Sequence, residues 1–208
     1  MVANSPIPPG FVYLHAIAPD ILQDIQYVTC DNFIGVPVDG YQAPRCILTL
    51  PAAIALKNLH RAIAAQGLGL LVYDGYRPLR ASLHFLRWSQ DITDQKTKVA
   101  YYPNIDKKDF FKLGYVAHPS SHNRGSTVDL TLIDLKDKKP LDMGTPFDFM
   151  DPLSHPANTT VTSQQYQNRQ LLKEKMYEFG FIGIDTEWWH FTLQNEPFPE
   201  QNFDFLIT

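Results

Sequence analysis

The sequence predicts a single α+β domain, and three observations carry that reading. Its 208 residues suit one hydrophobic core. Helical and strand-like segments follow one another irregularly rather than in βαβ succession. No internal repeat, linker or low-complexity tract divides the chain, so residues 1–208 read as one unit. An apolar fraction of 44% with 19% charged residues belongs to the soluble globular class. A net charge of -4 without a basic run argues against nucleic acid as a partner. No apolar window is long enough for a spanning helix, so no membrane partner is expected.

Taken in order, residues 1–20 read as an extended N-terminal segment. Met1-Val2-Ala3-Asn4-Ser5-Pro6 lacks a basic n-region and an apolar h-region, so the chain as written reads as cytoplasmic. A chain whose signal peptide had been removed, and which worked in the periplasm, would read the same. Residues 24–28 alternate like a strand. Residues 51–66 have Pro51 in the first turn, apolar residues at helical spacing and Gly67 just past the end, which predicts a helix. A buried strand follows at 70–73, a turn at 74–78 and a second helix over 79–89. Residues 101–104 break the helical pattern, and Asp106 is placed to cap a short helix ending near Gly114. Residues 128–133 form a strand and 134–140 a solvated turn. Residues 142–160 make a long loop of the functional kind. A helix from Thr162 or Ser163 to Gly180 precedes a final strand over 188–193. Cys30 and Cys46 form no C-x-x-C pair, which leaves two buried free thiols or a disulfide.

The chemistry concentrates in two stretches. His122 lies in a Ser/Asn/Arg/Gly loop before a strand that opens with Asp129, a carboxylate that needs a partner or a metal where that strand is buried. Gly125 lets the loop turn back so that the two side chains converge. His190 stands among Trp188, Trp189 and Phe191, where it is either a core hydrogen bonder or a ligand. Two imidazoles and one carboxylate form a set that leaves zinc an open fourth position. Glu187, three residues before His190, is suited to take a proton from a metal-activated water. In an extended segment Glu187 and His190 would face opposite ways, so Glu187 is expected in the turn entering the strand. His118 is a rival ligand four residues before His122, but Pro119 and two serines disfavour the helix that this spacing needs. His155, in the long loop, could reach the edge of the site, but an ordinary solvent-facing polar residue is the reading its surroundings favour.

Ser120-x-His122-x-x-Gly125-x-x-x-Asp129 together with Glu187-x-x-His190 resembles the zinc D-alanyl-D-alanine metallopeptidases. Asp74-Gly75-Tyr76-Arg77-Pro78 and Met143-Gly144-Thr145-Pro146-Phe147-Asp148 narrow the resemblance to the VanX-type D-alanyl-D-alanine dipeptidases, from about residue 20 to the C-terminus. The resemblance implies a small, mostly antiparallel sheet packed with helices, of the Hedgehog and D,D-peptidase type. It implies one zinc per chain on His122, Asp129 and His190, with Glu187 as base and Arg77 stabilising the oxyanion. Asp148, Ser120 and Tyr27 would recognise the free amino terminus of a dipeptide substrate. Read without the resemblance, Arg77 could instead form a structural salt bridge with Asp74, and Asp148 could cap its own loop. The family often carries Ala where this chain has Thr127. The rival activities are a D,D- or L,D-carboxypeptidase acting on peptidoglycan stem peptides and a non-catalytic zinc-bearing binding module.

Overall fold

The computed structural model describes residues 7–208; residues 1–6, on which the cytoplasmic reading rests, lie outside the described residues. The chain begins with β1 (Phe11–Tyr13), the helical turn α1 (Leu14–Ile17) and β2 (Leu22–Gln23). β3 (Ile47–Thr49) runs directly into α2 (Leu50–Ala64), and β4 (Leu68–Asp74) follows. Then come α3 (Leu79–Gln90) and the short turns α4 (Lys98–Tyr101) and α5 (Phe110–Leu113). β5 (Thr127–Asp134), α6 (Ser163–Glu178), β6 (Phe181–Gly183) and β7 (His190–Leu193) complete the order.

A five-stranded sheet in the order β2-β4-β5-β7-β6 forms the frame, and β1 and β3 pair separately. Only β2 and β4 run parallel in the large sheet; its other neighbours are antiparallel. β5 lies at the centre, and Thr127 to Ile133 are all buried. α2 presents Ala52, Ala53, Leu56, Leu59 and Ile63 to the core, each of the larger side chains contributing about 1.5–3 kcal/mol by leaving water. Pro51 stands in its first turn, as the sequence predicts. α6 starts with the Thr162 hydroxyl accepting from the Gln165 amide while the Gln165 side chain returns to the Thr162 amide.

Several expectations are corrected. Among the described residues before position 20, the chain is extended at β1 and turns helical at α1, where it buries Leu14. Residues 26–28 form a 3-10 turn rather than a strand. The ladder with β4 ends at the bond from the Asp24 amide to the Val72 carbonyl. Beyond it Tyr27 packs edge-on against Tyr41 and beside Phe85, and this aromatic burial outweighs the local alternation. The final strand begins at His190, because Trp188 and Trp189 occupy a turn. β6 and α4 escaped the sequence reading, both being too short to show a period. Asp106 sits at the head of a 3-10 turn, but its side chain pairs with Lys98 at 2.9 Å and makes no cap. Cys30 is exposed and Cys46 buried, and both are free thiols.

Candidate active site

β4, β5 and β7 carry three polar side chains in one row. Asp129 pairs in register with His190 on one side and with Asp74 on the other. The second pairing depends on a bulge between Val72 and Asp74, which sets Asp74 rather than Tyr73 opposite Asp129. His122 joins the row from a 3-10 turn over Ser121–Arg124, whose first amides are capped by Ser120. Gly125 ends that turn at φ 82°, and a Cβ there would stand 2.2 Å from the Phe11 ring. Only glycine allows the chain to pass from His122 into β5 at this point.

The ligating atoms of His122, Asp129 and His190 lie within 4.8 Å of one another. His122 Nδ1 is 2.7 Å from the Gly75 carbonyl, which can only accept, so that nitrogen carries the proton. Its Nε2 therefore turns a lone pair inward, 3.2 Å from His190 Nδ1 and 3.3 Å from Asp129 Oδ2. The outer nitrogen of His190 meets the Ser121 hydroxyl at 3.2 Å, leaving Nδ1 to face Asp129 Oδ1 at 3.1 Å. Despite that proximity, Asp129 Oδ1 is fully buried and has no well-formed hydrogen bond. Electron-pair donors converge here with too few protons to share, as they do around a cation. Two imidazoles and a carboxylate held by outer hydrogen bonds fit zinc in ligand type. Burial alone would raise the Asp129 carboxyl, but the two imidazoles overcome it and hold the acid well below the usual carboxylate range. Burial lowers His122, whereas at His190 burial is outweighed by the close carboxylate of Asp129, which raises it.

Glu187 stands in the turn entering β7, as its proposed task requires, with Oε2 3.6 Å from His190 Nδ1. Burial pushes its carboxyl up to about 7. Arg77 leaves the end of β4 and spans two acids, with Nη2 2.9 Å from Asp74 and 3.6 Å from Asp129. Its guanidinium carbon lies 5.0 Å from the Phe85 ring centroid and 5.5 Å from that of Tyr27. The ion pair with Asp74 is therefore real, and it still leaves Arg77 facing the shared cavity.

That cavity, about 270 Å³, is lined by His122, Asp129, Glu187, His190 and Arg77 together with Asp148, Tyr27 and Ser120. The Tyr27 hydroxyl donates to Asp148 Oδ2 at 2.8 Å. Burial, reinforced by Asp129, raises the Asp148 carboxyl well above its ordinary value. Asp148 also adopts φ 59°, a conformation that Asp tolerates better than most residues. Ser120 accepts the His122 amide at 3.3 Å, so its hydroxyl serves the turn while facing the cavity. Thr127, where the family often has Ala, pairs its hydroxyl with Thr192 across the strands at 2.8 Å and leaves no buried polar group unsatisfied. His118 stands outside the converging group. His155 reaches the rim, 3.4 Å from the hydroxyl of the cavity residue Tyr115.

The sequence reading missed the supports. Tyr41 donates to Asp74 at 2.8 Å. Asn123, fully buried, holds the Arg77 carbonyl at 2.8 Å and accepts the Ser120 amide at 2.8 Å. The Ser-x-x-Asn spacing of a capping box was a local signal for Asn123; nothing local marks Tyr41.

An α+β frame that gathers two histidines and an aspartate beside a further carboxylate is of the kind metallohydrolases carry. The chain belongs to the D-ala-D-ala dipeptidase family, whose model matches residues 8–208. It is 44% identical over 198 residues to a D-alanyl-D-alanine dipeptidase of Enterococcus faecium, covering 95% of this chain and 98% of that one. It is equally similar, 44% over 197 residues, to one from Streptomyces coelicolor, covering 95% and 98%. One from Escherichia coli is 36% identical over 182 residues, covering 88% of this chain and 83% of its own.

Proposed function

We propose that this chain hydrolyses D-alanyl-D-alanine to two D-alanines, with one zinc held by His122, Asp129 and His190. The observation that carries the reading is that one small cavity is lined both by a convergent donor cluster and by a buried acid held by Tyr27. A volume of about 270 Å³ lies just under the ~300–1,000 Å³ of drug-sized ligand sites and suits a small substrate. Zinc, when bound, supplies Lewis acidity that polarises a carbonyl and acidifies water toward a pKa of about 7.

The remaining steps belong to the side chains. Glu187 accepts the proton of the attacking water and returns it to the departing amine, a transfer for which a carboxyl poised near 7 is well matched. Arg77, fixed by Asp74, offers its permanent charge to the oxygen that becomes negative as the carbonyl is attacked. Asp148 measures substrate length. Its buried carboxyl ionises against the free ammonium of a dipeptide, while a blocked amino group brings no charge and leaves the acid unpaired. Tyr27 orients that carboxyl, and Ser120 offers its hydroxyl to the same amine.

The test is release of free D-alanine from D-Ala-D-Ala by the purified zinc-loaded protein, with N-acetyl-D-Ala-D-Ala and L-Ala-L-Ala run beside it. Cleavage confined to the free D,D-dipeptide supports the reading. Cleavage of the blocked substrate makes the protein a carboxypeptidase, and zinc binding without any cleavage makes it a binding module.

A further inference from the structure

Arg169 on α6 belongs to none of the motifs that mark the site, yet it is almost completely buried, at 1% exposure. It forms none of the described salt bridges. Instead its guanidinium is used on backbone carbonyls: Nε donates to Met143 at 2.6 Å, and Nη1 donates to Leu153 and to His155, each at 2.9 Å. Those three acceptors lie at the two ends of the segment whose middle is Asp148. Burying a guanidinium without a carboxylate is costly, and burial does pull its pKa down. A planar fork reaching both ends of one loop is what the cost secures.

The same segment is tied to the turn that carries Glu187. The Trp188 amide donates to the Ser154 carbonyl at 3.1 Å, and the Trp188 indole donates to the Thr145 hydroxyl at 2.8 Å. Thr145 and Ser154 meet at 2.9 Å. From α6, Asn168 adds a bond to the Asp142 carbonyl at 2.8 Å. One network therefore runs from α6 through both ends of the loop to the residue after Glu187.

We propose that Arg169 is a positioning residue: by closing the Met143–His155 segment it fixes Asp148, in its left-handed conformation, at a set distance from the Glu187 turn. This rests on the reading of Asp148 as the receptor of the substrate ammonium. Lysine has one nitrogen and cannot reproduce a fork that spreads Nε and Nη1 over separate carbonyls.

The experiment compares zinc-loaded Arg169→Lys with the unmodified protein in zinc content and in KM and kcat for D-Ala-D-Ala. The expected result is one zinc per chain and a KM raised roughly tenfold or more with a smaller change in kcat; misplacement of a binding group by about 1 Å can cost as much as 10²-fold. Unchanged constants in a folded, zinc-loaded variant would overturn the proposal, as would a loss confined to kcat. If Arg169→Lys does not fold, Asn168→Ala loosens the same segment more gently, and the same KM shift is expected in reduced form; its absence sinks the idea. Asp148→Asn keeps the two readings apart. Normal binding of the free dipeptide by that variant removes the ammonium role and with it the reason for the clamp, whereas an impaired Asp148→Asn beside a normal Arg169→Lys removes the clamp alone.

Discussion

Asp148→Asn is the sharpest perturbation of this site because it changes charge and little else. Asn adopts the φ of 59° about as readily as Asp. Its carbonyl can still accept from Tyr27, which now donates at 2.8 Å. Alanine would add backbone strain of roughly 1–2 kcal/mol and an unpaired buried hydroxyl costing about 1–3 kcal/mol, confusing stability with recognition. What Asn cannot do is pair with an ammonium. Removing one partner of a buried charged hydrogen bond costs at least about 2 kcal/mol, and 2–4 kcal/mol corresponds to roughly 30- to 700-fold in kcat/KM. The assay is steady-state D-alanine release, with zinc measured on the same samples and expected at one per chain. The sign of the stability effect is also fixed. The folded-state pKa of Asp148 is raised, so its contribution favours the fold at low pH and is lost as pH rises through that raised value. Asn escapes this loss, and the substrate-free variant should melt no lower than the unmodified protein at alkaline pH. Loss of zinc in step with activity, or an unchanged kcat/KM, would refute the assignment.

Other outcomes follow from the same geometry. Glu187→Gln should retain zinc and lose roughly 10²–10⁴ in kcat, measured by D-alanine release. In the unmodified protein, Glu187 must be ionised to act, so kcat/KM should rise with pH along a limb at or below about 7; a cation at the donor cluster draws that limb downward. Arg77→Lys keeps a cation for Asp74 but loses the fork, and should cost about 10²–10³ in kcat with the protein still folded, as circular dichroism would verify. Chelation should abolish turnover reversibly. At free zinc a thousandfold above Kd the metal stabilises by about 4 kcal/mol, so its removal should lower Tm by roughly 8–16 °C in a thermal melt. Gly125→Ala should cost well over 1 kcal/mol in denaturant unfolding, because its Cβ meets the Phe11 ring at 2.2 Å and its φ is 82°.

The sequence by itself determined the features that short stretches of chain control. Pro51 and Thr162 marked helix starts, and Gly114 marked an end, because backbone geometry and orphan amides are satisfied within a turn or two. The candidate ligands were legible because their residue types cluster with the glycine and serine that shape their loop. Even the need for Glu187 to occupy a turn followed from strand alternation. The tertiary structure decided whatever depends on residues far apart in the chain. Tyr27 and Asp148 are 121 positions apart, and their bond exists only because aromatic packing turns residues 26–28 out of the strand the local pattern suggests. The bulge at Val72–Asp74 that brings Asp74 to Asp129 is a matter of register between two strands. Arg169 looks like any polar residue of a helix until the loop it closes is folded against it. Local propensities act over a few residues, whereas burial and strand pairing sum contributions from the whole chain, and these long-range terms arrange the supports on which the site stands.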